Sequence, residues 1–168
     1  MTVRLRPLRI EDEQQALAAH AELTAEGFSF LLDWSPSTAW RDYVAQTSAW
    51  RCGHRLPADR VPSSFLVAES DGELAGRVSV RHEFNDFLAA YGGHIGYCVR
   101  PAFRRRGLAG EILGQGLVIA RAHGVDRVLV TCDEDNRASA KVIERRGGVL
   151  EDRRVDPDGV LKRRYWIG

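Results

Sequence analysis

The hydrophobic pattern changes its period several times along this 168-residue chain, and each change predicts a new element. Alternating positions over residues 3–6 indicate a short strand. A helical spacing over residues 10–24 follows, and a second helix is predicted over residues 37–50. Between and after these helices lies an irregular stretch rich in aromatic residues. The first third of the chain is therefore predicted to be one strand and two helices.

The remaining two thirds alternate between predicted strands and helices. Apolar strands at 64–69 and 74–82 flank Ser70-Asp71-Gly72-Glu73, a typical hairpin turn. The elements predicted after them are a loop or short helical segment at 84–92, a strand at 93–99, a helix at 107–123, a strand at 125–132, a helix at 136–146, and strands at 149–154 and 160–167. This order predicts a single domain, residues 1–168, of the α/β (α+β) class. We expect a mixed, mostly antiparallel sheet with helices on both faces, and one parallel β-α-β crossover over residues 93–132.

Charge and composition exclude several classes of protein. The 24 Lys and Arg residues nearly balance 23 Asp and Glu residues, so the net charge of +1 does not favour nucleic acid as a partner. No apolar run approaches the roughly 20 residues of a membrane span, and the N-terminal residues lack the apolar core of a signal peptide. The three cysteines share no metal-ligand spacing. We therefore expect a cytoplasmic protein with no metal site and no membrane partner.

The segment from Arg104 to Gly110 offers the clearest chemistry. It joins a predicted strand to a predicted helix that begins with small residues. A helix start leaves backbone N–H groups unpaired at its positive end, and neighbouring arginines add donors for phosphate oxygens. The segment lacks the Gly-Lys-Ser/Thr of a P-loop and the Gly-x-Gly-x-x-Gly of a dinucleotide fold. A solvated run of charge is the alternative interpretation.

The motif Arg104-x-x-Gly107-x-Ala109, placed between strand and helix, resembles the pyrophosphate signature of the GNAT superfamily of acyl-CoA N-acyltransferases. The other stretches that carry the resemblance are Gly92-Gly93-His94-Ile95-Gly96-Tyr97, Val130-Thr131-Cys132-Asp133, Asn136-x-x-Ser139, Glu144-x-x-Gly147 and Arg164-Tyr165-Trp166-Ile167. Together they resemble a bacterial subgroup of predicted acetyltransferases, from residue 64 to the C-terminus. The resemblance implies the GNAT fold and acetyl-CoA as cosubstrate.

The resemblance also implies roles for individual residues. The cofactor-binding set would be Cys98, Val99, Arg104, Arg105, Arg106, Gly107, Leu108, Ala109, Gly110, Asn136 and Ser139. The N–H groups from Arg105 to Gly110 would hold the pyrophosphate, and the free backbone edge near Cys98 and Val99 would pair with pantetheine. The Val99 amide would be the oxyanion donor. Asn136 would contact pantetheine, although a helix N-cap is an equal alternative.

The general acid is missing from its usual place. Many GNAT proteins carry a tyrosine seven residues after the helix-start asparagine, and that position is Ile143 here. The substitutes considered are Tyr97, Glu83, Tyr165, Cys132 and His94. The expected reaction is direct transfer of acetyl to a primary amine of a small molecule or peptide. A non-catalytic acyl-CoA-binding sensor or interaction module is the alternative.

The sequence leaves the acceptor and the oligomeric state open. By the same resemblance, variable loops at residues 28–62 and 83–91 would set the acceptor. The protein could be a monomer or a homodimer, the latter through its final strand pair.

Overall fold

The computed structural model describes residues 2–168. Its strands and helices are β1 (Arg4–Arg6), α1 (Glu13–Thr24), α2 (Trp40–Trp50), β2 (Ser63–Ser70), β3 (Glu73–Arg81), β4 (Ile95–Val99), α3 (Leu108–Ala122), β5 (Val128–Asp133), α4 (Arg137–Arg145), β6 (Val149–Val155) and β7 (Leu161–Ile167). Short 3-10 turns at Ile10–Asp12 and Pro101–Phe103 and a π turn at Leu88–Gly92 connect some of them. All the predicted helices and strands are present.

The strands form one sheet in the order β1-β2-β3-β4-β5-β7-β6. Neighbours pair antiparallel except β4 and β5, which are parallel, so the predicted mixed and mostly antiparallel sheet is confirmed. Most boundaries differ from the sequence prediction by one or two residues, and α1, α2 and β5 each begin three residues late. Helix α1 begins late because residues Ile10–Asp12 form a 3-10 turn. Helix α2 begins three residues late because Ala39 is extended (ψ 136°). Strand β5 begins at Val128 because the Val125 N–H still donates to Ala120 O of α3, at 3.0 Å.

Two hydrophobic cores lie on opposite faces of the sheet. Helices α3 and α4 cover one face, where residues such as Ile112 and Ile143 pack against Val78 and Ile95. Helices α1 and α2 cover the other face. The buried residues of this second core are Leu8, Ala16, Ala19, Leu23, Phe30, Leu31, Trp40, Tyr43, Trp50, Phe65, Val67 and Leu74. Helices therefore lie on both faces, as the sequence predicts.

Strands β4 and β5 meet at one end and diverge at the other. Across their described ranges the ladder between them has the single pair Ile95–Val130. At the closed end the His94 N–H donates to Leu129 O at 2.7 Å, and the Leu129 N–H donates to His94 Nδ1 at 2.9 Å. Beyond Ile95 the edge of β4 has no ladder partner in β5 within these ranges. We call this opening the β4–β5 cleft.

Within residues 2–168, no helix is both long enough and apolar enough to cross a membrane.

Candidate functional site

The register of β4 against β3 determines which backbone groups line the cleft. The Arg100 N–H donates to Ala75 O at 2.8 Å, and the Arg81 N–H donates to His94 O at 2.7 Å. Hydrogen-bonded positions alternate along an antiparallel pair, so the even-numbered residues of β4 bond to β3. The odd-numbered residues Tyr97 and Val99 consequently present their backbone groups to the cleft. A ligand that pairs with this edge would hydrogen-bond to the backbone of Tyr97 and Val99. The backbone groups of Cys98 point toward β3, so Cys98 would contribute no such bond.

A glycine of β3 leaves room for this orientation of the Val99 amide. A Cβ atom on Gly76 would collide with the Cys98 carbonyl oxygen, which therefore depends on the missing side chain for its position. The C=O and N–H of one peptide group point in opposite directions. The Val99 N–H therefore points away from β3, toward the cleft. Gly76 was not among the predicted site residues, although a glycine inside a strand is a recognised signal of close backbone approach.

The turn before α3 has an unusual backbone. Arg105 (φ 65°) and Gly107 (φ 82°) both lie in the left-handed region, which favours glycine. A Cβ on Gly107 would meet no atom within 4 Å, so the space above it is open. The N–H groups of Gly110 and Glu111 donate to Gly107 O at 3.1 and 3.3 Å. The Gly110 amide is therefore already paired, and the amides of Leu108 and Ala109 at the helix start are better placed to bind an anion.

The arginines of this turn differ in their contacts. Arg104 donates from Nε to Val99 O at 3.0 Å and from Nη2 to Glu26 at 2.5 Å, and its guanidinium lowers the pKa of the Glu26 carboxyl. Arg104 therefore connects the turn to β4 and to the segment just after α1. The Arg106 guanidinium carbon lies 5.8 Å from the centre of the Phe103 ring. Arg105 lines the groove described next.

A basic groove of about 670 Å³ lies between α3 and α4 and begins at this turn. We call it the α3–α4 groove. Its lining residues are Val99, Phe103, Arg104, Arg105, Gly107, Leu108, Ala109, Gly110, Ala138, Lys141, Val142, Arg145 and Arg146. Five of them are cationic, and within the described chain the lining includes no carboxylate. The groove thus suits a ligand that carries several phosphates.

Three of these cations come from α4 and its C-terminal end and were not predicted as binding residues. Lys141 and Arg145 are four residues apart and share one face of the helix, a spacing that could have indicated them. Arg146 reaches across to α3. A Cβ on Gly114 would lie 2.9 Å from Arg146 Nη1, so the glycine at this position makes room for the guanidinium.

Asn136 and Ser139 meet at the start of α4. The Asn136 Oδ1 accepts the Ser139 N–H at 3.1 Å, which establishes the N-cap that was one of its two predicted roles. The cap uses only the carbonyl half of the amide, which leaves the Nδ2 donors for a second contact. The Ser139 Oγ lies 2.9 Å from Tyr97 Oη. The Tyr97 side chain therefore connects β4 to α4 across the cleft.

The candidate acids fall into different environments. Burial raises the pKa of Tyr97 to about 12, so its phenol is protonated at neutral pH. Tyr165 is 1% exposed, and its hydroxyl donates to the exposed Glu144 at 3.0 Å. Glu83 is exposed beyond the end of β3. Ile143 is fully buried in the core and brings no polar group to the cleft.

Cys132 and His94 have structural surroundings. Cys132 belongs to the α3–α4 core, and burial raises its thiol pKa to about 11. His94 stacks on Phe84 with ring centres 3.8 Å apart, and burial lowers its pKa to about 4. The neutral ring accepts a hydrogen bond from the Leu129 N–H, and this bond joins β4 to β5 at the closed end of the cleft.

A second cavity of about 380 Å³ opens on the α1–α2 face of the sheet. Its lining residues are Leu32, Asp33, Trp50, Leu56, Asp59, Arg60, Val61, Ser63, Ser79, Arg81, Asn85, Phe87 and Leu88. We call it the β3 cavity, since Ser79 and Arg81 of β3 form part of its floor. Most of its wall comes from the two loops, residues 28–62 and 83–91, that the sequence analysis predicted to set the acceptor.

Comparison with known proteins relates this geometry to a family. Residues 2–149 match the family model described as an acetyltransferase (GNAT) domain. A curated relative, acetyltransferase plu1384 from Photorhabdus laumondii, is 31% identical over 88 residues, which are 50% of this chain and 55% of that protein. The match to this relative therefore spans about half the length of each protein.

Solved structures agree with the fold. The chain superposes on the ribosomal L7/L12 alpha-N-protein acetyltransferase RimL with a TM-score of 0.65, at 21% identity over 98% of this chain and 89% of that one. It superposes on yncA from Salmonella typhimurium, solved with its cofactor acetyl-CoA, with a TM-score of 0.66 at 16% identity, over 98% and 92% of the two chains. An N-acetyltransferase from Staphylococcus aureus gives a TM-score of 0.65 at 17% identity, over 99% and 97%.

Proposed function

This chain belongs to the GNAT acetyltransferase family, and we propose that it transfers acetyl from acetyl-CoA directly to a primary amine. The main support for the proposal is that three features of the site adjoin one another. The free edge of β4 in the β4–β5 cleft leads to the left-handed turn at Gly107, and the turn leads into the basic α3–α4 groove. An amide edge followed by an anion site matches the sequence of amides and phosphates along coenzyme A.

Each part of acetyl-CoA has residues that fit it. The amides of Leu108 and Ala109 at the start of α3 would bind the pyrophosphate, with Arg105 and the α4 cations adding charge. The pantetheine arm would lie in the cleft as an added strand beside Tyr97 and Val99. The Nδ2 group of Asn136 would reach the arm from the α4 side. The thioester would then lie close to the amide of Val99.

Val99 would stabilise the charge that develops during transfer. The acceptor nitrogen forms a bond to the acetyl carbon as the carbon–sulfur bond breaks, and negative charge collects on the carbonyl oxygen. A backbone N–H fixed toward that oxygen stabilises the charge without reorganising. The Arg104 Nε holds the Val99 carbonyl at 3.0 Å, which keeps this part of β4 in place.

Tyr97 is the residue we propose as the general acid. The amine loses a proton and the departing thiolate gains one, so a donor near the sulfur is useful. Among the candidate acids, the Tyr97 phenol is protonated at neutral pH and lies across the cleft, 2.9 Å from Ser139. The Tyr165 hydroxyl already donates a hydrogen bond to Glu144, which makes it the weaker choice.

One observation favours a non-catalytic acyl-CoA-binding module as the second candidate. Ile143 occupies the position at which many GNAT proteins place their acid, and it is fully buried in the core. A module of this kind would keep the groove and the cleft and would bind acyl-CoA without turnover.

Release of free thiol from acetyl-CoA, measured with a broad panel of primary amines, distinguishes the two candidates. We expect turnover with at least one amine, and a rise in melting temperature on adding acetyl-CoA. Stabilisation by acetyl-CoA without thiol release on any amine supports the binding module. The absence of both effects contradicts each proposal.

A further inference from the structure

Two arginines lie on the same face of β3, and they differ in the hydrogen-bond acceptors around them. The fully buried Arg77 donates to the carbonyl oxygens of Phe30 (Nε, 3.2 Å), Gly96 (Nη1, 3.2 Å) and Ser29 (Nη2, 2.8 Å). Each of its nitrogens therefore has an acceptor, and its role is to join β3, β4 and the segment after α1. Four residues later, Arg81 has no comparable set of acceptors.

The Arg81 side chain lies in the β3 cavity with a nitrogen that no protein group binds. Its Nη1 atom is buried and, among the described residues, has no hydrogen-bond partner. The ion pairs of residues 2–168 also leave Arg81 without a carboxylate. Burial, with Arg77 and Arg60 nearby, lowers the pKa of Arg81 to about 9, so the group is still cationic at neutral pH. Arg81 as a whole is partly exposed, so the unpartnered Nη1 atom is the unusual feature of the site. A buried donor without an acceptor is costly, and a ligand oxygen would relieve the cost.

The other charges of the cavity leave Arg81 available to an anion. Asp33 is paired with Arg60, at 2.7 Å between Oδ1 and Nη2. Asp59 is exposed, so water screens its charge. Neither carboxylate is within ion-pair distance of Arg81 in the described chain.

Gly96 places the Arg81 guanidinium directly against β4. A Cβ on Gly96 would lie 3.2 Å from Arg81 Nη1 and 3.4 Å from Nη2, so a side chain there would displace the guanidinium. Gly96 precedes Val99 by three residues, or about 10 Å of extended strand. A substrate bound to Arg81 could therefore extend along β4 to an acetyl group held at Val99.

We propose that the acceptor amine carries an anionic oxygen group and that Arg81 binds this group, with the amine within about 10 Å of it. The guanidinium fork suits a carboxylate or a phosphate-like group. The 380 Å³ of the cavity suits a small molecule or a peptide end. This inference rests on the proposed function and adds the chemical class of the acceptor.

The test compares matched amines on the wild-type protein and on variants. Amino carboxylates with graded spacing are assayed beside their neutral amides and beside aminophosphonates, with kcat/KM from thiol release. We expect the wild type to prefer the anionic member of each pair. Arg81→Gln should reduce kcat/KM for anionic amines about 10- to 100-fold and leave the neutral amides nearly unchanged. Arg41→Gln, which removes a charge from the exposed side of α2, is the control.

A binding measurement keeps the inference testable without turnover. Calorimetry follows the same anionic amines as they bind in the presence of CoA. Arg81→Lys retains a cation and is measured beside Arg81→Gln, so that loss of folding in the Gln variant is recognised. If anionic amines bind through Arg81 but none is acetylated, the anion site is supported and the acetyltransferase proposal is contradicted. Turnover in which Arg81→Gln changes neutral and anionic amines equally would overturn the anion site and leave the acetyltransferase proposal intact. Failure of every anionic amine to bind would also overturn the anion site.

Discussion

The Cys98 carbonyl oxygen lies against the Cα of Gly76, in space that any other residue at position 76 would fill with its Cβ. The β3–β4 register directs the Val99 N–H into the β4–β5 cleft and the Cys98 C=O toward β3. Glycine at position 76 leaves the room that this orientation of the proposed oxyanion donor requires.

Gly76→Ala should therefore impair chemistry more than cofactor binding. Its methyl group displaces the Cys98 carbonyl and rotates the Val99 amide, and removal of one oxyanion donor costs about 100-fold in kcat. The dissociation constant for acetyl-CoA should change less than kcat, because only one contact to the pantetheine arm is disturbed and the phosphate site on α3 and α4 is left intact. Gly116→Ala, a buried glycine whose Cβ would lie 3.4 Å from side-chain atoms, controls for packing. A normal kcat in a folded Gly76→Ala protein would contradict the role of Val99.

Gly107→Glu should abolish the rise in melting temperature that acetyl-CoA produces. The new side chain enters the open space above the turn and brings a negative charge to the proposed pyrophosphate site. Gly124→Glu is a matched control, because Gly124 also has φ 82° with open space around it but lies beyond the other end of α3. Both variants carry the same backbone strain. The pyrophosphate assignment is therefore supported if Gly107→Glu loses the rise in melting temperature and Gly124→Glu keeps it.

Removal of the α4 cations should weaken acetyl-CoA binding in a salt-dependent manner. Lys141→Ala and Arg145→Ala each delete a charge from the α3–α4 groove. We expect a loss of about 3- to 10-fold in affinity for each variant at low salt, smaller at 0.5 M salt because of screening. Arg137→Ala, on the same helix but outside the groove lining, should bind normally in the same titration. Equal losses in all three variants would indicate a general effect of charge.

Tyr97→Phe should lower kcat about 100-fold or more if Tyr97 donates the proton. A phenol with a pKa of about 12 remains protonated through the neutral and mildly alkaline range. The wild-type rate should therefore show no loss from deprotonation of Tyr97 between pH 7 and 10. Tyr165→Phe serves as the control, since its hydroxyl is hydrogen-bonded to Glu144. Unchanged kcat in Tyr97→Phe, with normal acetyl-CoA binding, would exclude it as the acid.

Stability should fall as the pH falls from about 6.5 to 4 because His94 is held neutral. Its pKa is about 4 in the folded protein and about 6.5 when unfolded, so in this window the unfolded chain binds more protons. His94 accounts for a loss of roughly 3 kcal/mol in unfolding free energy at pH 4. His82, whose pKa burial also lowers to about 4, adds to the loss in the same window. Urea unfolding at several pH values measures it. His94→Asn retains an acceptor but does not titrate, so its stability should depend less on pH in this window.

The sequence pattern predicted the elements well because each depends on local periodicity. The strand–turn–helix at Arg104–Gly110 is one example, since glycine at position 107 and a preceding apolar strand are visible in the chain itself. The predicted ends of elements were less accurate where hydrogen bonds at a helix terminus determine them. The helix α3 terminus extends its hydrogen bonding to Val125, and no apolar pattern marks that last turn.

Long-range features of the site could not be read from the sequence. The roles of Gly76 and Gly96 depend on which atom of a neighbouring strand or side chain lies above them. Arg77 and Arg81 have the same chemistry and the same strand face, and only tertiary contacts distinguish the first from the second. Sheet register and loop placement set these contacts.

The two cores on opposite faces of the sheet have a consequence for how such a protein can evolve. The β3 cavity rests on the side of the α1–α2 core, whereas the α3–α4 groove is built on the other core. Substitutions that reshape the cavity can therefore accumulate in one layer while the other retains its packing. The acceptor substrate could therefore change through substitutions on the α1–α2 side of the sheet. The acetyl-CoA site on the α3–α4 side would stay the same.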